Sequence, residues 1–170
     1  MDTWYIGLFL IVGLVLVKPT LRKLSHGRLI RQLAMEGVEV APRWVRFDGL
    51  RVKGASWTAE VDFKPSFEKG GHTHFKADLG RKTPDVVFPA TAGGAAAFAA
   101  SGDEAFAQKL LTEELRKRLL RLGALGGRLW YVRGGKMEIV GPLPGNPDEL
   151  RAFLALAREV TDLAAEALST

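Results

Sequence analysis

The sequence contains no cysteine. That excludes a disulfide framework, thiolate zinc sites and a cysteine nucleophile, and it agrees with a reducing compartment. Histidine is scarce: His26, His72 and His74 are the whole supply. No Gly-x-x-x-x-Gly-Lys-[Ser/Thr] phosphate loop and no Gly-x-Ser-x-Gly nucleophile elbow occur. The glycine-rich stretch Gly123–Gly127 follows a predicted helix and precedes a predicted strand, the reverse of the order that cradles a phosphate. No internal repeat is present, and no cofactor is expected.

A strong charge of one sign is also missing from most of the chain. The net charge is +5, but residues 1–35 account for +4 of it, with Lys18, Arg22, Lys23, Arg28 and Arg31 against Asp2 alone, and the remainder carries only +1. The folded part is nearly neutral, which argues against nucleic acid as a partner. An apolar fraction of 47% in 170 residues is enough for one domain with a core, plus an appendage.

The appendage is N-terminal. Thr3 to Val17 carries no charge, and Leu8 to Leu14 has no polar position, so an amphipathic fit is poor. As a helix the run spans roughly 22 Å, short of a hydrocarbon core of about 30 Å. Snorkelling of Lys18, headgroup placement of Trp4 and Tyr5, and local thinning close the gap. The residues predicted to lie in the bilayer are Trp4, Tyr5, Ile6, Leu8, Phe9, Leu10, Ile11, Val12, Leu14, Val15, Leu16, Val17 and Lys18. Cleavage as a signal peptide is disfavoured, because the leading Met1-Asp2-Thr3 is acidic and no small-x-small site follows the run. Five basic residues follow the run and none precedes it. The positive-inside rule then places the N-terminus outside and the rest of the chain in the cytoplasm. Arg22, Lys23, Arg28 and Arg31 are candidate contacts to anionic lipid, in a segment where Leu21, Leu24, Leu29, Ile30 and Leu33 recur near helical spacing. The equally weighted alternative is a helical stalk whose charges only orient the anchor.

The expected organisation is an anchor over residues 1–20, a basic juxtamembrane helix over 21–37 and a domain over 38–170. Within the domain, Trp44–Phe47 and Leu50–Lys53 flank the turn pair Asp48-Gly49. Ala55, Trp57, Ala59, Val61 and Phe63 alternate with polar residues, as do Thr73, Phe75, Ala77 and Leu79, which predicts strands with one dry and one wet face. Asp85–Phe88 reads as a weaker strand, and the Ala/Gly-rich stretch over 90–100 as a connector or a short strand around Phe98. Ser101 with Glu104 resembles a capping box for a helix, and Thr112 recaps a second helix reaching Leu122. Gly134-Gly135 marks a hairpin, and Asn146, Pro147 and Glu149 begin a long last helix. The expected fold class is α+β: an antiparallel sheet, flat or curved, with helices on one face, preceded by a transmembrane helix.

Chemistry is sparse. His72 and His74 share one face of a strand and are weak candidates for a metal or acid/base pair, but Lys76 and Asp78 extend that face as an ordinary wet surface would. The carboxylate pairs Asp103/Glu104, Glu113/Glu114 and Asp148/Glu149 all open predicted helices, where they complement the dipole. Arg116, Lys117, Arg118 and Arg121 form a basic helix face; contact with phosphate or anionic lipid is one reading, and a solvated face with Glu113 and Glu114 nearby is the preferred one. The leading expectation is a membrane-anchored, non-catalytic module at the cytoplasmic face that binds a protein partner or organises a membrane complex. The second is a small-ligand or lipid-binding domain with a pocket lined by Trp57, Phe63 and Phe75, between sheet and last helix. The third is an enzyme using His72 or His74.

Overall fold

A computed structural model of the chain describes residues 30–33, 35–41, 49–64, 71–88 and 100–169. The readings for Trp4 to Lys18, for Arg22, Lys23 and Arg28, for the Trp44–Phe47 strand and for the stretch 90–99 lie outside these residues.

The described residues form eight strands and three helices: β1 (Val38–Ala41), β2 (Gly49–Lys53), β3 (Thr58–Lys64), β4 (His72–Asp78), β5 (Val86–Val87), β6 (Ser101–Gly102), α1 (Glu104–Leu110), α2 (Glu113–Ala124), β7 (Arg128–Arg133), β8 (Lys136–Pro142) and α3 (Pro147–Ala167). All strands join one sheet in the order β1-β2-β3-β4-β8-β7-β5-β6, and every neighbouring pair is antiparallel. The fold is α+β. After β4 the chain crosses to the far edge of the sheet to form β5 and β6, continues through two helices, then returns through the β7–β8 hairpin, which fills the space between β4 and β5. That return lays β8 along the full length of β4, from His72↔Pro142 to Asp78↔Lys136.

Alternation decides the faces. In β3 and β4, Ala59, Val61, Phe63, Thr73, Phe75 and Ala77 are buried on one side. All but Thr73 join Leu129, Val132, Met137 and Ile139 and the apolar stripes of the helices in a single core cluster. α3 contributes Leu150, Phe153, Leu154, Ala157, Val160 and Ala164, spaced three or four apart on one stripe. Each of these Leu, Phe and Val side chains, fully buried, stabilises by about 1.5–3 kcal/mol. Its start is fixed chemically: the Asn146 side chain accepts from the backbone N–H groups of Asp148 and Glu149, and Pro147 takes the first position. Gly141 lets this helix approach the sheet closely, since a Cβ there would sit 2.4 Å from a ring atom of Phe153.

Three expectations need correction. α1 is capped by Asp103, whose side chain accepts from the Phe106 N–H. Ser101 instead pairs with Val87 as part of β6. Aspartate two residues nearer the helix satisfies the same orphan donors. The strand predicted from Ala55 begins at Thr58, because Gly54 N–H bonds to Trp57 carbonyl in a turn. Trp57 nevertheless stays in the core at 3% exposure, its indole N–H donating to Asp162 of α3 at 2.7 Å. The core also takes in Ile30 and Leu33, which lie in the segment read as stalk. Arg151 and Arg158 of α3 donate to the Gln32 and Glu36 carbonyls and hold that segment against the helix.

Candidate functional site

One face of the sheet faces the helices; the other carries the polar half of each alternation. The strand registers place Glu39, Arg51, Glu60, Lys76 and Glu138 in one row across five strands, with Tyr131 of β7 beside Glu138. Signs alternate along this row, and oppositely charged cross-strand neighbours stabilise a sheet. Next to it runs Asp62, His74, Val140 and Arg128. Lys76 bridges the rows by pairing with Asp62 at 3.2 Å. A depression of about 660 Å³ opens on the same face, lined by Arg51, Lys53, Glu60, Lys76, Asp78 and Lys136 among others.

His74 and Glu138 stand out on this otherwise wet face. They are 7% and 4% exposed, and His74 Nδ1 lies 2.6 Å from Glu138 Oε1. A carboxylate oxygen accepts, so the Nδ1–H of His74 donates to Glu138 and Nε2 is the ring nitrogen left outside this bond. Tyr131 stands opposite Glu138 in the register; burial first, then that neighbouring carboxylate, push its pKa up to about 12. Glu138 therefore has a ring group beside it from each flanking strand. His72 lies beside this cluster, its ring centroid 6.4 Å from that of His74, and Trp130 flanks it at the same distance.

β7 brings a different group to the same face. An irregularity between Leu129 and Tyr131 gives β7 one residue more than its partner there, so Trp130 and Tyr131 both stand opposite Glu138. Their rings are 5.8 Å apart, Arg128 lies over Trp130 and Arg133 over Tyr131, each at 5.9 Å. Trp130 is 38% exposed.

The fate of each predicted site residue is as follows. His72 is exposed and shares its face with His74, as expected, but His74 is buried by its neighbours instead of lying on an ordinary wet surface. Arg31 is exposed. Trp57, Phe63 and Phe75 are core residues at 3%, 6% and 0% exposure, so their own side chains occupy the space between sheet and α3. The carboxylate pairs do open the helices. Glu149 additionally accepts from Gly145 N–H and Asn146 Nδ2. Among the described residues no group of three or more His, Asp or Glu side chains is arranged to hold a metal, and no helix is long and apolar enough to cross a membrane. Glu138 and Tyr131 escaped the sequence reading, and Trp130, whose place in a predicted strand points to the core, is instead 38% exposed. Their only signal is the alternation of β7 and β8, and it does not say that β8 pairs with a strand 64 residues away.

No family model, curated protein or solved structure matches this chain, so function rests on its own residues.

Proposed function

We propose that the chain is a single-pass membrane protein whose α+β domain, held at the cytoplasmic face, binds a protein partner through the open face of its sheet. The observation that carries the binding surface is the run Arg128, Trp130, Tyr131 and Arg133 on one strand, each Arg over its own ring. Trp, Tyr and Arg dominate the energetics of protein interfaces: the rings bury large area while losing few rotamers, and Arg adds a planar, charged fork that stacks on them. Here they are held on a rigid strand by the pairing beneath, which lowers the ordering cost of binding. The anchor is supported by the uncharged run Thr3–Val17 and the five basic residues after it.

Two measurements test the two halves. With a C-terminal tag, the domain should resist external protease in sealed cells and stay with membranes in alkali; digestion in sealed cells would reverse the orientation. A photo-reactive residue at Trp130 of the full chain in native membranes should give a discrete adduct that the same probe at Lys109, on α1, does not give. Equal adducts from both positions would remove the open face as the binding surface.

A second reading is favoured by one observation. Glu138 on Nδ1 is the outer partner that orients a metal-binding or proton-transferring imidazole. Zinc or nickel binding by the protein, lost in the His72→Ala/His74→Ala double variant, would support it. Absence of binding to the wild type would end it.

A further inference from the structure

α2 has an unusual outward side. Its buried stripe is Leu115, Leu119 and Leu122. Leu120 lies outside that stripe, about 100° around the helix from Leu119, and is 51% exposed; Leu125 at the helix end is 40% exposed. Lone exposed leucines are common. These two share the helix end with a one-sided charge: residues 115–128 hold Arg116, Lys117, Arg118, Arg121 and Arg128 and no acidic side chain. The carboxylates of α2 sit in its first turn, where Glu113 and Glu114 pair with Lys117 and Arg118. Arg121 makes no ion pair among the described residues.

The helix ends abruptly. Gly127 N–H returns to the Leu122 carbonyl and Gly126 N–H to the Gly123 carbonyl, both at 2.9 Å. Gly126 adopts φ +74°, the left-handed position this motif requires. The chain turns straight into β7, and Leu125 is left at the tip. That tip lies at a defined end of the domain. Gly126 sits against Pro142, the last residue of β8, and α3 starts just after. Gln32 is fastened to Arg151 in the early part of α3. The chain coming from its N-terminal run therefore joins the domain at the same end as the tip of α2.

We propose that this tip, Leu120, Arg121 and Leu125 with Arg116 and Lys117 beside them, docks on the anionic surface of the bilayer that holds the N-terminal run. The inference rests on the anchored reading above. Leucines enter the headgroup boundary while the cations meet lipid phosphates. Tethering makes the second contact intramolecular, so even a weak surface is occupied.

The absence of cysteine makes the test clean. The full chain carrying Ala124→Cys, at an exposed position beside both leucines, is labelled with an environment-sensitive dye. It is reconstituted in vesicles of phosphatidylcholine, with or without phosphatidylglycerol, containing headgroup spin-labelled lipid. Strong quenching is expected in the anionic vesicles, and little for the same dye at Glu60→Cys on the open sheet face. Leu120→Ser/Leu125→Ser should abolish it, and Arg121→Gln should lower the docked-to-free ratio by about fivefold. A chain that floats with the vesicles but shows no quenching at position 124 overturns the docking and leaves the anchor standing. A chain that does not float overturns the anchored reading and the docking with it. Equal quenching in neutral vesicles overturns the anionic requirement. Self-quenching between labelled chains, in place of quenching by lipid, assigns the surface to a second copy and overturns the proposal.

Discussion

Phe75 and His74 are neighbours in β4, stand on opposite faces of the sheet and are both buried, at 0% and 7% exposure. The means differ. Phe75 is surrounded by the apolar core and meets Trp57 edge-on at 5.9 Å. Its burial is non-directional, and any dense apolar surroundings would supply it. His74 is buried on a face that is otherwise wet, and it tolerates burial because Glu138 takes its proton donor. That arrangement is directional. It works only if β4 and β8 pair in one register, since a slip of one residue would put the two side chains on opposite faces. The covered face thus supplies most of the stability, and the open face ties β3, β4, β8 and β7 into one register through Asp62–Lys76, His74–Glu138 and Glu138–Tyr131.

The comparison breaks first if the covered face is not close-packed. Phe75→Ala should cost about 3–5 kcal/mol in denaturant unfolding; a cost below about 1 kcal/mol would mean the site collapses freely. Glu138→Ala comes next, at about 1–3 kcal/mol, because it strands a buried imidazole N–H and a phenol together. Adding His74→Ala to it should cost less than His74→Ala alone, the signature of a shared interaction. Strict additivity would show that the two side chains are buried independently.

The covered face was legible in the sequence for the same reason that it is stable. Period-two alternation in β3 and β4, period-3.6 spacing in α3, and Asn146-Pro147 as a helix start are local signals with strong physical causes. The errors were also local in cause: Asp103 displaced Ser101 as a cap, and a turn at Gly54 shortened β3. The candidate site was half legible. His72 and His74 could be put on one face from spacing alone. Glu138 could not be joined to them, because pairing between β4 and β8 depends on how the chain returns after two helices. The bulge that puts Trp130 beside Tyr131 had no sequence mark, since no glycine or proline interrupts β7.

Tyr131 sharpens the comparison through pH. Its folded pKa is raised to about 12, against about 10 in an unfolded chain. The sign follows: the fold favours the neutral phenol, so the contribution is complete below about pH 10 and is lost as pH rises towards 12. The chain has two tyrosines, Tyr5 and Tyr131. Phenolate absorbance should therefore show a late step that Tyr131→Phe removes, together with the stability loss over that interval. A Tyr131 that titrates at the ordinary value would detach it from Glu138 and leave His74 as the carboxylate's sole ring partner.

The smallest expected effect probes the alternating row itself. Glu60 lies between Arg51 and Lys76 in the strand registers. Glu60→Lys would line up three cations across β2, β3 and β4 with no change in burial, since position 60 is exposed. Directly opposed like charges on a wet face cost about 0.5 kcal/mol. The screening length falls from about 10 Å at 0.1 M salt to about 3 Å at 1 M, so the cost should shrink as salt is added, while the effect of Phe75→Ala should not. Denaturant midpoints for both variants at the two salt concentrations decide it. A Glu60→Lys penalty that ignores salt would place the row's contribution in side-chain packing, and the open face would then be held together largely by the same non-directional means as the covered one, with the His74–Glu138 and Asp62–Lys76 pairs as its polar exceptions.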